Sequence, residues 1–203
     1  MPYNIYKGKV IPKQPFEMQN LFYKFDFHID KDYILDYRKK HISEYTSYAL
    51  LTKRTIYGLK VNNVDYFEEL ERKFLNDFNL KEHDITFDKG LMHYPRGGRI
   101  DPHLDRPYSH STCVIMFPIQ VSTPMKFHEY VGDEEDMDIV HRQSLLLNNI
   151  GMELAVPLDR PTVVNTDFFH SAKSDKKFRI LMKWNVKFLE FYDLIKIMKG
   201  NDA

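Results

Sequence analysis

A histidine and a carboxylate stand two residues apart in the segment 94–105, which reads YPRGGRIDPHLD. Imidazole nitrogen and carboxylate oxygen are both ligands that divalent transition metals accept. Along a β-strand, side chains at positions i and i+2 leave the same face, so His103 and Asp105 could point into one cavity. The pattern predicts two ligands of one metal, and a third ligand must come from elsewhere in the chain.

A His-x-Asp pair alone carries little weight, because the sequence holds a second one at His28 and Asp30. Around that second pair, apolar residues alternate with polar and charged ones over residues 23–30. Such alternation is typical of a half-buried strand with one face in solvent. We therefore predict that His28 and Asp30 are ordinary surface residues.

The surroundings of His103 distinguish it from the other histidines. Tyr94 and Gly97 precede it, and His170 follows far downstream with Arg179 nine residues beyond. No other histidine in the sequence has an arginine nine residues further on. Two histidines and one carboxylate on one side of a metal leave the opposite positions open, which is the arrangement of non-haem Fe(II) oxygenases.

A structural zinc site is the alternative use of such ligands, and it normally surrounds its metal with four protein ligands that include cysteine. Cys113 is the single cysteine of the chain, so it cannot form such a cluster or an internal disulfide. We expect it to be a small buried apolar side chain.

Arg179 follows a polar stretch over residues 173–177 that is suited to a hairpin turn. The sequence thus predicts His170 and Arg179 on adjacent antiparallel strands, both facing the interior. A buried guanidinium needs a partner, and no carboxylate adjoins Arg179 in sequence. An anionic ligand is a suitable partner, because the planar fork of arginine accepts a carboxylate in two parallel hydrogen bonds.

Composition sets the outer limits. The chain has 203 residues, 43% of them hydrophobic and 14% aromatic, which is enough to fill one globular domain spanning residues 1–203. Lysine plus arginine and aspartate plus glutamate balance at 29 each, so no overall field favours nucleic acid as a partner. No apolar run is long enough to span a bilayer, and no signal peptide is evident, so we expect a cytoplasmic protein.

Residues 1–83 are predicted to support a sheet. We expect an extended arm over residues 1–19 rather than a regular element, a strand over residues 21–29, and a helix from Asp30 or Asp32 to His41. Residues 43–59 remain ambiguous. A second helix, capped by Asn62 or Asn63, carries an apolar stripe that is typical of packing against a sheet.

Residues 84–188 are predicted to form the core of the fold, because short apolar runs alternate there with turn residues. The expected strands are 85–94, 99–103, 112–120, 125–130, 153–156, 162–165, 169–174 and 178–187, which suggests a jelly roll. The acidic run at 132–138 is typical of a solvated loop. Residues 189–203 are predicted to form a C-terminal helix that docks on the sheet. The expected class is mainly β with flanking helices (α+β).

With these motifs in order, the chain resembles the Fe(II)- and 2-oxoglutarate-dependent oxygenases, with a pattern similar to that of the prolyl-hydroxylase-like group. The shared pattern is Tyr-x-x-Gly, an apolar residue, His-x-Asp, a distal histidine and an arginine nine residues further on. The likeness covers about residues 85–187. It implies a cupin-like double-stranded β-helix with helices packed on one face.

The resemblance also implies roles for residues. Iron would be held by His103, Asp105 and His170, and no catalytic residue beyond this triad is implied. The co-substrate 2-oxoglutarate would chelate the iron and reach Arg179 with its far carboxylate, while Tyr94 would line its pocket.

Members of this family often carry a hydroxyl residue two or four positions after the arginine, whereas this chain has Leu181 and Lys183. On a regular strand Lys183 shares a face with Arg179, so we expect Lys183 near the pocket, where it pairs with the co-substrate's far carboxylate or with another acidic group. The alternative is a β-bulge that turns Lys183 out to solvent.

The sequence therefore predicts a dioxygenase that uses Fe(II), 2-oxoglutarate and O2 to hydroxylate a C–H bond of a small-molecule or peptide substrate, with succinate and CO2 as products. Two alternatives stay open: a cupin-type metalloenzyme that does not use 2-oxoglutarate, and a non-catalytic jelly-roll binding module. The remaining histidines at 93, 110, 128 and 141 have no comparable partners, and we expect them on the surface or in loops. The oligomeric state and the identity of the substrate are not encoded in these patterns.

Overall fold

A computed structural model describes residues 3–6, 9–12, 15–48, 56–103, 111–131 and 150–200 of the chain. The strands are β1 (Tyr3–Tyr6), β2 (Lys9–Pro12), β3 (Phe22–Lys24), β4 (Thr46–Tyr48), β5 (Ile56–Lys60), β6 (Thr86–Tyr94), β7 (Arg99–His103), β8 (Ser111–Gln120), β9 (Met125–Tyr130), β10 (Ile150–Val156), β11 (Thr162–Asn165), β12 (Phe169–Lys173) and β13 (Arg179–Lys187). The helices are α1 (Met18–Leu21), α2 (Lys31–Lys40), α3 (Asp65–Asp77) and α4 (Phe191–Met198).

Two antiparallel sheets form the body of the fold. The larger sheet has seven strands in the order β3-β11-β8-β13-β6-β5-β4, and the smaller has four in the order β10-β9-β12-β7. From β6 onward the chain passes between the sheets, with β6, β8, β11 and β13 in the larger sheet and β7, β9, β10 and β12 in the smaller. This is the double-stranded β-helix with flanking helices that the sequence predicted.

Helices α2, α3 and α4 pack on the outer face of the seven-stranded sheet. Phe67, Leu70 and Phe74 of α3 are buried in one cluster with Met182 and Trp184 of β13. The same cluster contains apolar residues of α4 and the buried side chain of Ile34 in α2. The aromatic stripe of α3 is thus core packing, as its helical spacing indicated, and it fixes the sheet that carries Arg179.

The inner face of the seven-stranded sheet meets the four-stranded sheet. Val114 and Met116 of β8 pack there against Met125 and Phe127 of β9. Since side chains alternate along a strand, the β13 residues between those of the outer cluster point into this interior. The interior between the sheets is therefore where the predicted site must be sought.

Three predictions for the first 83 residues are wrong. The N-terminal segment contains a two-stranded hairpin of β1 and β2 instead of an irregular arm. The strand predicted over residues 21–29 ends at Lys24, although the burial alternation continues to Ile29, because β11 offers partners only as far as Lys24. Neither predicted asparagine caps α3: its N-cap is Val64, and Asn63 adopts a left-handed backbone with φ of 64°.

Other local predictions hold. The Asp30 side chain accepts a hydrogen bond of 2.9 Å from the backbone N–H of Tyr33, so it is the N-cap of α2. His28 is exposed, and Cys113 is buried. The ambiguous stretch contributes β4 and β5 to the edge of the larger sheet. The predicted acidic loop at 132–138, together with His110 and His141, lies outside the described residues. Among the helices described, none has the length and apolar character needed to cross a membrane.

Candidate functional site

The glycine turn between β6 and β7 lies between Tyr94 and His103 and is hydrogen-bonded to the segment that precedes Arg179. Gly97 has a φ of 66°, a left-handed conformation that glycine adopts without steric cost, and its N–H donates to the carbonyl of Asp175 at 3.1 Å. Ser174, which is 3% exposed, donates from its backbone N–H to the carbonyl of Gly98 at 2.7 Å and from its hydroxyl to the carbonyl of Pro95. The turn is thus tied to the loop that joins β12 and β13.

His103 and His170 meet on the inner face of the four-stranded sheet. They are directly paired across β7 and β12, and their ring centroids lie 4.4 Å apart. His170 is also paired with Phe127, whose side chain belongs to the buried cluster between the sheets. The structure therefore brings together two of the three predicted metal ligands, although 67 residues separate them in sequence.

Hydrogen bonds fix the orientation of both rings. Nδ1 of His103 lies 2.9 Å from the carbonyl oxygen of Asp101, and Nδ1 of His170 lies 3.0 Å from that of Phe168. A carbonyl oxygen can only accept, so each Nδ1 carries a proton, and Nε2 is the nitrogen through which each ring could bind a metal. Metal-bound histidines are commonly held in this way through the ring nitrogen that does not touch the metal.

The third predicted ligand, Asp105, lies outside the described residues, two positions beyond the end of β7. Within the part of the chain that the structure describes, no group of three or more histidine, cysteine, aspartate or glutamate side chains could hold a metal ion. The histidine pair fits a metal by its donor atoms and tautomers, and the role of Asp105 remains a prediction.

Arg179 is the other predicted site residue in the interior, and it is fully buried at 0% exposure. Its Nη1 donates to the carbonyl oxygens of Thr123 at 3.1 Å and Pro124 at 3.3 Å, with the Thr123 hydroxyl at 3.3 Å and the carbonyl of Lys173 at 3.5 Å. Within the described residues, its Nε and Nη2 have no hydrogen-bond partner. These two nitrogens form one edge of the guanidinium, the edge that binds a carboxylate in two parallel hydrogen bonds.

Tyr94 lies against this guanidinium. It is paired with Arg179 across β6 and β13, is 5% exposed, and has its ring centroid 5.5 Å from the guanidinium carbon. Burial lowers the pKa of Arg179, and the adjacent Tyr94 hydroxyl raises it in part. The side chain stays cationic at neutral pH because the guanidinium of arginine keeps its proton in proteins. The guanidinium of Arg179 is therefore a buried positive charge in the interior, with one edge that has no partner among the described residues.

The predicted hairpin between His170 and Arg179 is wrong. β12 belongs to the four-stranded sheet and β13 to the seven-stranded sheet, so the turn over residues 174–178 carries the chain from one sheet to the other. His170 and Arg179 consequently lie on opposite sheets that border the same interior, instead of on paired strands. The residues of a turn predict where the chain reverses direction. They do not predict whether the two flanking strands pair with each other or belong to different sheets.

Lys183 shares the inner face of β13 with Arg179, as predicted. The pairing of β13 with β6 runs without a register shift from Arg179 to Lys187, which excludes a bulge on β13 between the two residues. Lys183 is half-buried and is paired with Met116, a member of the interior cluster. Four residues of strand separate the two Cα atoms by about 13 Å, so Lys183 lies well beyond Arg179 along the sheet.

Two other histidines are not the surface or loop residues that we predicted. Half-buried His93 lies 3.2 Å through Nδ1 from Nη2 of Arg38, and burial together with that cation lowers its pKa to about 4. His128 is 5% exposed, and its Nε2 lies 2.7 Å from the hydroxyl of Ser171. Burial lowers the pKa of His128, and Glu153 offsets part of this effect.

Sequence reasoning missed Thr123, whose carbonyl and hydroxyl both accept from Arg179. The two residues are 56 positions apart, and Thr123 lies in an unremarkable turn between β8 and β9. The Thr123 hydroxyl also donates to the carbonyl of Lys173, which joins the β8–β9 turn to the end of β12. No local signal in the sequence connects this turn with the arginine.

Comparison with known proteins places the fold. No family model and no curated protein matches the sequence. Among solved structures, a Pseudomonas putida prolyl-4-hydroxylase has a TM-score of 0.52 at 11% identity and covers 83% of this chain and 93% of its own. A Trichoplax adhaerens prolyl hydroxylase in complex with a hypoxia inducible factor peptide has a TM-score of 0.54 at 9% identity, covering 91% and 88%.

A third similar structure is SnoN, a non-heme alpha ketoglutarate dependent epimerase from nogalamycin biosynthesis. Its TM-score is 0.52 at 13% identity, and the match covers 77% of this chain and 73% of that one. Identities this low establish the fold alone. The structural neighbours are Fe(II)- and 2-oxoglutarate-dependent enzymes, and this chain has their double-stranded β-helix fold.

Proposed function

We propose that this chain is a non-haem Fe(II)- and 2-oxoglutarate-dependent dioxygenase that hydroxylates a C–H bond of a second substrate and releases succinate and CO2. The observation that carries the proposal is the open edge of Arg179. Burying a guanidinium without an anion costs several kcal/mol, so a fold that keeps one in its interior is expected to bind an anion there. A carboxylate is the anion that this planar edge fits.

The histidine pair supports the same proposal. His103 and His170 lie on the face that borders the interior with Arg179, each with Nε2 as the nitrogen that could bind a metal, and Asp105 follows two residues after His103. Two imidazoles and one carboxylate form the facial set that leaves metal positions open for other ligands. We assign these three residues as iron ligands, Arg179 as the anchor of the co-substrate's far carboxylate, and Tyr94 as a wall of its pocket.

When bound, iron and 2-oxoglutarate supply the oxidation, in which O2 is consumed, 2-oxoglutarate loses CO2, and a C–H bond is hydroxylated. The protein contributes position and exclusion of water. The Asp101 and Phe168 carbonyls hold the imidazole tautomers, and the Thr123 and Pro124 carbonyls fix the guanidinium through Nη1. The second substrate is an amino acid, a protein or peptide side chain, or another small molecule.

Arg179 also separates this proposal from its alternatives. A cupin-type metalloenzyme that does not use 2-oxoglutarate has no need for a buried guanidinium with an open edge. A non-catalytic jelly-roll module would need neither the guanidinium nor two histidines held in the tautomer that a metal requires. SnoN has a similar fold and is an epimerase, so hydroxylation is a more specific proposal than the use of 2-oxoglutarate.

The test is production of succinate from 2-oxoglutarate by the purified protein with Fe(II) and O2, measured together with metal content. Wild type is expected to bind one equivalent of Fe(II) and to form succinate, slowly if no second substrate is added. Separate His103→Ala, Asp105→Ala and His170→Ala variants are expected to lose iron and turnover while keeping the far-UV circular dichroism of the fold. His28→Ala, at an exposed histidine of another His-x-Asp pair, is the matched control.

Iron-dependent succinate production that persists in any two of the three variants would contradict the triad. Iron binding without any 2-oxoglutarate binding would favour the cupin-type enzyme. Binding of neither would favour the non-catalytic module.

A further inference from the structure

Two lysines flank a glycine in one cross-strand row on the inner face of the seven-stranded sheet. Gly90 of β6 is paired on one side with Lys183 of β13 and on the other with Lys60 of β5. Directly paired residues point to the same face of a sheet, and neighbouring strands are about 4.8 Å apart. The two lysines therefore rise from positions about 10 Å apart, with no side chain between them.

The bare backbone at Gly90 leaves a recess of about 50 Å³. Its lining includes Gly58, Asp88 and Asn185 as well as Lys60, Gly90 and Lys183. Asp88 accepts a hydrogen bond of 3.2 Å from the Asn62 side chain. The side chain of the adjacent Lys89 reaches the opposite face, where it pairs with Glu68 at 2.8 Å. The lining of this recess thus includes two lysines and Asp88, and the recess is large enough for a terminal group of a ligand and too small for a whole substrate.

The recess lies on the far side of the histidine pair from Arg179. At the end of the interior next to the turn over residues 174–178, Arg179 contacts the carbonyl of Lys173, the last residue of β12. One step inward, Ala172 of β12 packs in the cluster that contains Leu181. Two residues further along β12 comes His170, and two residues further along β13 comes Lys183. Because the sheets lie face to face, this order predicts that the histidines lie above the part of β13 between Leu181 and Lys183.

From this order we propose that Lys60 and Lys183 bind an anionic group, a carboxylate or a phosphate, of the second substrate over Gly90. The proposal rests on the proposed function, since it needs a metal at the histidines and a co-substrate at Arg179. The second substrate is then an acidic small molecule or an acidic peptide side chain. It is held so that a C–H bond near its anionic group points towards the histidines. The spacing of about 13 Å between Arg179 and Lys183 keeps this subsite apart from the co-substrate's far carboxylate.

The test uses the full-length protein labelled with nitrogen-15, in which the Gly58 and Gly90 backbone amides report on the recess. Acetate, inorganic phosphate and neutral acetamide are titrated at constant ionic strength, with 2-oxoglutarate and Zn(II) present to fill the co-substrate site. Acetate or phosphate is expected to give a saturable shift of these amides, and acetamide none. The tighter of the two anions identifies the substrate's group as carboxylate or phosphate.

Three variants examine the residues of the row. Lys60→Met and Lys183→Met are each expected to weaken anion binding about two- to fivefold, the range for an ammonium that is partly screened by water. Gly90→Ala keeps both charges but fills the recess, and its added Cβ would lie 3.4 Å from the carbonyl oxygen of Leu59, an ordinary contact. It too should weaken binding, followed at the Gly58 amide, while Lys196→Met, at an exposed lysine of α4, should not.

The absence of a saturable shift in wild type, or equal affinity in wild type and both lysine variants, would overturn the proposal. A separate calorimetric titration of 2-oxoglutarate distinguishes the other outcomes. If both lysine variants lose 2-oxoglutarate affinity to the extent that Arg179→Lys does, the lysines belong to the co-substrate site and the anion subsite is wrong, whereas the proposed function stands. If wild type binds no 2-oxoglutarate at all, the proposed function fails whatever the anion titration gives.

Discussion

Replacing Arg179 by lysine tests the geometry of the buried charge more sharply than its removal would. Lysine keeps the positive charge but replaces a planar fork by a single ammonium. In the structure, Nη1 is already engaged by the carbonyls of Thr123 and Pro124 at 3.1 and 3.3 Å. A lysine ammonium in the same interior would donate to those carbonyls, so few of its N–H groups would remain to bind a carboxylate of the co-substrate.

The magnitude follows from the two donors that are lost. Nε and Nη2 of Arg179 are buried and have no partner among the described residues, so a bound carboxylate would take both. A lysine ammonium can replace at most one of these two bonds, so the net loss is at least that of one hydrogen bond to a charged group, about 1.5–3 kcal/mol. At about 1.4 kcal/mol for each factor of ten, Arg179→Lys should weaken 2-oxoglutarate about ten- to a hundredfold.

The assay is a calorimetric titration of 2-oxoglutarate into protein loaded with Mn(II), supported by the 2-oxoglutarate dependence of succinate formation with Fe(II). Metal affinity should be unchanged, because Arg179 is not a ligand. Arg160→Lys is the matched control, since Arg160 is 51% exposed and pairs with Asp26 at the surface. An unchanged 2-oxoglutarate affinity in Arg179→Lys would mean that the co-substrate does not bind this edge, and the reasoning would be refuted.

Three further predictions concern the frame around the site. His93 has a pKa lowered to about 4 by burial and Arg38, so the folded state loses stability as pH falls from about 6.5 towards 4, where the unfolded chain binds the proton more readily. In His93→Asn, the decrease in the free energy of unfolding over this pH range, measured by urea titration, should be smaller by about 1–2 kcal/mol. This is roughly half of the value that the full pKa shift would give, because the ring is partly exposed. His28→Asn should leave the decrease unchanged. Gly97→Ala should lower the free energy of unfolding by about 1 kcal/mol or more and reduce metal affinity, because alanine strains the φ of 66°; an unchanged thermal midpoint would contradict it. Lys89 is 2% exposed and forms ion pairs with Glu68 and Glu71 of α3. Lys89→Met should lower the free energy of unfolding by about 1–3 kcal/mol. An unchanged free energy of unfolding in chemical denaturation would mean that these ion pairs do not stabilise the fold.

Much of the fold could be predicted because its strands carry local signals. The eight strands expected between residues 85 and 187 all occur in the structure, with the fifth starting earlier, at Ile150. Their alternation of buried and exposed residues is a property of each strand by itself. The α3 stripe was recognisable for the same reason, since Phe67, Leu70 and Phe74 repeat at helical spacing.

Predictions failed where the outcome depends on distant partners. Residues 25–29 alternate like a strand, yet no neighbouring strand pairs with them beyond Lys24. The turn before Arg179 has the composition of a hairpin, but β12 finds its partners in β7 and β9. Asn63 has the chemistry of a cap, but its left-handed backbone precludes that role. Local propensity is a weak prior that tertiary pairing overrides.

The same distinction between local signals and distant partners applies to the residues of the candidate site. His103, His170 and Arg179 could be selected from their order and spacing, and the structure brings them to one interior. Thr123 could not be selected, because its contact with Arg179 arises from the crossing of the chain between two sheets. Lys60 is 123 residues from Lys183, and only the register of β5 on β6 and of β6 on β13 puts them in one row.

A crystal structure of the protein with Mn(II) and 2-oxoglutarate tests the central claim most directly. The proposal predicts the metal on Nε2 of His103, Nε2 of His170 and the carboxylate of Asp105, with the keto acid end of 2-oxoglutarate on the metal. It predicts the far carboxylate on Nε and Nη2 of Arg179, at hydrogen-bond distances of about 2.7–2.9 Å. A metal bound elsewhere, or a co-substrate whose far carboxylate does not contact Arg179, would contradict the proposed function.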